Sequence, residues 1–327
     1  MGKKKKSKSK KSKGKKSKDK KKHLTKKAAA KQKKSDKKRK KKEAKKKAAP
    51  SKLKSITARP KKASAPMKAL KSSAKPAPIG RGGKVKIDDL FAYRLLPWLL
   101  SLSNIKAPSA FLRKLKALQT KIYLLDHYLE TNWNLEEKEL AAFWEAIYRN
   151  LEAFDLSREE AVQMVKQIER YQSHEISMRD DKSPTRFTIR HFYYYKSCDV
   201  KLMRTLIYRA DPNLEKIVRK TDWTDFDLIT EVNDDITDLQ EDMKIYNANR
   251  FMFQLIETGK TATGKAFRSF ISEIRTSSQK RFEKNQTDQA QYIKKSTQTA
   301  IKQTLAMLRA QLSAADLVEI RLAKSFT

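Results

Sequence analysis

The 327-residue chain has one cysteine, Cys198, so neither an intrachain disulfide nor a cysteine-built metal site is available to it. Its four histidines include no His-x-x-x-His or similar spacing, which argues against imidazole as a metal ligand. No long apolar run is present either. The most apolar stretch, Leu90 to Leu102, is broken by Arg94 and Pro97 and is too short to span a bilayer. The basic N-terminal segment also lacks the apolar region of a secretory signal, so a soluble, cytoplasmic protein is expected. Residues 1–86 contain no Phe, Trp or Tyr, and few aliphatic residues. Such a segment cannot bury enough apolar surface to offset the entropy of ordering, and disorder is expected over 1–84. Strand-like alternation is scarce and no repeat of fixed period occurs.

Against these absences stands a large excess of positive charge, +39 for the whole chain. Residues 1–86 hold 39 of the 76 Lys and Arg residues but only three acids, giving +36; the rest of the chain is near balance at +3. Within the tail, 1–48 is Lys with Ser and Ala, whereas 49–84 adds five prolines and the Gly80-Arg-Gly-Gly83 stretch, the composition of a linker. A polycation of this kind attracts nucleic-acid phosphates or an anionic membrane surface, blind to sequence and steeply weakened by salt. Its composition is similar to that of linker-histone and nucleoid-protein tails. The tail could also lie against acidic groups of its own chain.

The body, 85–327, carries every aromatic residue and is long enough for one sizeable core. Helical periodicity runs through it from about Ile87, so an all-α domain is expected. Ser109 is placed to cap a helix reaching Glu130. Asn134 with Glu137, and Ser157 with Glu160, have the spacing of capping boxes. Further helices are expected at 185–196, 198–209, 223–257, 262–283, 286–311 and 314–325, the last capped by Ser313.

Between Asp222 and Asp242 lie nine acidic residues and no Lys or Arg. On one helix, Asn233, Thr237 and Glu241 would form a row at i, i+4 and i+8, with Asp234, Asp238 and Asp242 on the adjoining stripe. Two oxygen rows of this kind suit a hard divalent cation such as Mg²⁺. The competing reading is a solvated acidic face, or one paired with basic side chains of another helix.

Asn233-Asp-x-x-Thr237-x-x-x-Glu241 resembles the late metal-binding motif of the class I isoprenoid synthases. These all-α enzymes ionise or condense prenyl diphosphates, and include bacterial terpene cyclases and squalene and phytoene synthase relatives. Asp234-Asp235-x-x-Asp238 resembles the aspartate-rich alternative. The resemblance implies a single helical bundle of the terpenoid synthase type, acting as a Mg²⁺-dependent transferase or lyase on a prenyl diphosphate. It implies a facing acidic cluster, for which Asp126 and Glu130 are preferred to Asp180-Asp181. It also implies diphosphate-binding cations, for which Arg204, Arg209 and Lys244 are the candidates. Two other functions stay open: a non-enzymatic nucleic-acid-associated protein with a helical interaction domain, and a synthase relative without activity.

Overall fold

The computed structural model describes residues 81–325 apart from 246 and 284. The chain divides into two units, residues 1–71 and 72–327, and every described residue belongs to the second. The expected tail and the linker up to residue 80 lie outside the described residues.

All regular structure among the described residues is helical. Helices α1 (Arg81–Tyr93) and α2 (Leu96–Ser101) open the body, and Arg81 to Gly83, expected as linker, belong to α1. Pro97 has no N–H to give a continuous helix, and Leu95 takes a left-handed conformation (φ 58°) at the break. Helix α3 (Pro108–Thr131) starts on Pro108, not on a Ser109 cap. It buries Leu115, Leu118, Ile122, Leu125 and Leu129, spaced three and four apart along one stripe.

Helix α4 (Glu137–Glu152) is not capped by Asn134. The hydroxyl of Tyr128 accepts from the Glu136 N–H at 2.9 Å, supplying the acceptor that a cap would otherwise provide. The capping box at Ser157 and Glu160 does form, and it starts α5 (Arg158–Ile176). Helices α6 (Ile189–Lys196, capped by Thr188), α7 (Cys198–Ala210) and the single turn α8 (Leu214–Ile217) follow.

The helix expected over 223–257 is not continuous. It divides into α9 (Thr224–Thr237), the single turn α10 (Leu239–Asp242), a non-helical stretch, and the start of α11 (Arg250–Glu283). Asn249 organises the break. Its side-chain amide donates to the Asp235 carbonyl and to Asp242, both at 2.6 Å, and its Oδ1 caps α11 by accepting from Met252 N–H at 2.8 Å. Helix α11 bends at Gly259 (φ 76°), and α12 (Asp288–Ala314) and α13 (Leu317–Ser325) complete the chain. Ser313 lies in the last turn of α12, and Asp316 caps α13 by accepting from Val318 N–H at 2.8 Å.

Helix α9 lies at the centre, packed chiefly against α12 and α11 and also against α6. Its apolar side chains Phe226, Leu228, Ile229, Val232 and Ile236 are buried, and so are its acids Asp225, Asp227, Glu231 and Asp235. No described helix is long and apolar enough to cross a membrane.

Candidate functional site

Buried carboxylates need partners, and most of the nine acids between 222 and 242 have one. Asp222 pairs with Arg219 (2.7 Å), Asp225 with Arg281 (3.0 Å), Asp227 with Arg204, and Asp235 with Lys196. Arg94 meets both Glu231 (2.9 Å) and Asp234 (2.6 Å), and donates to Thr230. Glu241 is exposed and pairs with Lys86 at 3.2 Å. Much of the acidic segment is therefore neutralised within the fold, as the pairing alternative expects.

One side of α9 faces a different environment. Glu231 and Asp234 line a cavity of about 200 Å³ together with Asp126 and Glu130 of α3, Glu175 of α5 and Asp199 of α7. Helical spacing explains the convergence, since Asp126/Glu130 are i, i+4 and Glu231/Asp234 are i, i+3. Arg94 and Lys196 are the cations in the wall, and both are already committed to carboxylates of α9. Asp199 is held by the Gln119 amide at 2.8 Å. Glu175 is 3% exposed, and its Oε2 has no hydrogen-bond partner among the described residues.

The electrostatics follow from this imbalance. Burial, with Asp126 and Glu175 nearby, pushes the Glu130 carboxyl up to about 10. Burial and Asp126 push Glu175 up to about 8, and burial raises Asp126 to about 6. Burial also lifts Glu231 to about 8, against the pull of Arg94, and Asp238 to about 6. Burial opposes the charge of Lys196, but Asp235, Glu231 and Asp242 outweigh it and hold its pKa well above the ordinary range.

The structure thus brings Asp126, Glu130 and Asp234 to one cavity and leaves other expected residues outside it. Asn233 turns toward α12, where its Oδ1 accepts from Thr304 at 3.1 Å. Thr237 is exposed at the end of α9, and Glu241 lies beyond the break at Asp238, so the i, i+4, i+8 row is not a continuous face. Asp238 sits close enough to Asp234 and Asp242 to feel their charge. Of the cation candidates, Arg204 is buried against Asp227, Arg209 pairs with Glu160 (3.2 Å), and Lys244 is exposed; none lines the cavity. The cations that do, Arg94 and Lys196, left a sequence signal: Arg94 is the one charge in the apolar run from Leu90 to Leu102, and Lys196 ends a Tyr-rich run.

Among the described residues no three His, Cys, Asp or Glu side chains converge as a preformed metal site. No protein family, curated protein or solved structure matches the chain. The chemistry of the cavity therefore rests on its own geometry.

Proposed function

We propose that the body is a Mg²⁺-dependent, class I isoprenoid synthase-like enzyme that binds the diphosphate of a prenyl diphosphate in the acidic cavity. The observation that supports this reading is the meeting of Asp126 and Glu130 of α3 with Glu231 and Asp234 of α9 in one cavity walled by Arg94 and Lys196. A cation is the natural complement of carboxylates that burial drives toward protonation, and of a buried Glu175 oxygen without a partner among the described residues. Mg²⁺ is commonly held by one or two carboxylates and completed by substrate phosphate oxygens. One or two carboxylates drawn from Asp126, Glu130 and Asp234 would hold the ion. When bound it supplies Lewis-acid stabilisation of the departing diphosphate.

The chain's own residues do the rest. Arg94 and Lys196 present fixed positive charge to phosphate oxygens without reorganising, because α9 already orients them. Leu90, Ile122 and Ile168 give the cavity an apolar side that excludes water. Its volume of about 200 Å³ is below the roughly 300–1,000 Å³ of sites that enclose a whole ligand, so it suits a diphosphate head and not a full prenyl chain.

The ion-paired acids of α9 favour a second reading. In it the body is a helical interaction domain, and the +36 tail carries the function by binding nucleic acid or an anionic membrane. Calorimetry of the full chain with a non-hydrolysable prenyl diphosphate analogue, with and without Mg²⁺, separates the two. Mg²⁺-dependent binding that is lost in Asp126→Asn/Asp234→Asn and kept in Asn233→Ala/Glu241→Ala is the expected result. Binding that ignores both Mg²⁺ and these substitutions would refute the acidic cavity as the diphosphate site.

A further inference from the structure

A second, larger space opens on the other side of α7, a cleft of about 500 Å³ that shares only Cys198 with the acidic cavity. Its charge is of the opposite sign. Lys201, Lys220 and Arg204 line it, with Asp227 as the one carboxylate. Arg204 is bonded to Asp227 and to the Arg94 carbonyl (2.9 Å) and lies over the Trp223 ring at 4.0 Å, so most of its guanidinium is already engaged.

The two lysines are placed differently. The Lys201 ammonium sits 3.3 Å from the centre of the Tyr194 ring and donates to the Tyr194 carbonyl, while Lys220 stands 5.4 Å from the centre of the Tyr208 ring. Neither forms an ion pair with a carboxylate among the described residues; Tyr rings and one carbonyl hold them. An ammonium has three hydrogens to donate, so Lys201 keeps donors to spare beyond that carbonyl. Burial lowers its pKa, the mark of a cation drawn away from water without full compensation. Met164, Leu202, Tyr208 and Trp223 add an apolar, aromatic wall beside the charges, and Thr205 and Thr221 add hydroxyls.

We infer that this cleft binds a phosphate group carried on an apolar or aromatic body, the phosphate meeting Lys201 and Lys220 and the body lying against Tyr208, Trp223 and Met164. Lys201 and Lys220 line the same cleft from two separate elements, each a point charge available to an anion, and the volume falls within the range of sites that enclose a small organic ligand. The site is independent of the acidic cavity and calls for no divalent cation.

The test is titration of the full chain in EDTA with octyl phosphate, kept dilute enough to stay monomeric, and separately with inorganic phosphate, read by calorimetry and tryptophan emission. The tail binds anions in every variant, so the comparison is with Lys201→Gln/Lys220→Gln and with a charge-matched control, Lys265→Gln/Lys280→Gln, at exposed positions of α11. Octyl phosphate should bind more tightly than inorganic phosphate, and lose on the order of tenfold or more in affinity in the cleft pair only. Lys220→Gln alone, at an exposed position, should show a smaller loss in the same direction. Equal losses in cleft and control pairs, equal affinity for the two phosphates, or no saturable binding would each overturn the assignment.

Discussion

Replacing Glu175 with Gln tests the electrostatics of the cavity directly. The Glu175 side chain is almost wholly buried, its Oε2 has no hydrogen-bond partner among the described residues, and burial with Asp126 pushes its carboxyl from an ordinary 4.5 up to about 8. The folded chain therefore keeps a proton that the unfolded chain releases, and the associated stability is present below pH 4.5 and lost as pH rises through 8. Each such proton changes stability by about 1.36 kcal/mol per pH unit, which over this window sets a ceiling of roughly 5 kcal/mol. Asp126 and Glu130 share the same field and titrate with it, so the share expected of Glu175 alone is on the order of 1–3 kcal/mol. Gln has the shape of the protonated acid and does not titrate. In urea unfolding with EDTA, Glu175→Gln should match the wild type near pH 5 and exceed it by about that amount at pH 8.5. A variant less stable than the wild type at pH 8.5, or offset equally at both pH values, would refute the reasoning.

Other outcomes follow from single features. Arg94→Met strips Glu231 and Asp234 of their cation and should cost about 3–5 kcal/mol in urea unfolding at pH 8, less at pH 5 where Glu231 holds a proton. Mg²⁺ should raise the thermal midpoint of the wild type more at pH 8 than at pH 5.5, because Asp126, raised to about 6, must lose its proton to hold it. Gly259→Ala meets no atom within 4 Å but must adopt φ 76°, so a loss of about 1–3 kcal/mol from backbone strain alone is expected in thermal melts. Ser157→Ala removes the cap of α5 and should cost about 1 kcal/mol, measurable in the same assay.

The sequence carried the helical class of the body and the Ser157–Glu160 helix start, because periodicity and capping are local signals. It misplaced the helix over 223–257, because the break depends on Asn249 reaching Asp235 and Asp242, and partners in space leave no periodic trace. Asn is nonetheless a preferred cap, and Asn247-x-Asn249 could have marked the restart of the chain at α11. In the candidate site, Asp126, Glu130 and Asp234 were legible as types at helical spacing. Glu175 and Asp199 were not, since each is an isolated acid whose role comes from the packing of α7 against α3 and α5. The row of Asn233, Thr237 and Glu241 failed as a face because α9 ends at Thr237.

The way α9 is neutralised sets an order on how the chain matures. The partners of its acids come from well-separated stretches, Arg94, Lys196, Arg204 and Arg219 upstream and Arg281 downstream. During synthesis the upstream four have left the ribosome before α9 does, so Glu231, Asp235, Asp227 and Asp222 can each find a cation at once. Asp225 cannot, because Arg281 lies 56 residues further on, and α12, which packs most heavily on α9, begins only at Asp288. A nascent chain stalled before residue 281 would hold its central helix half covered, with one acid still facing water, and native closure waits on the last third of the body.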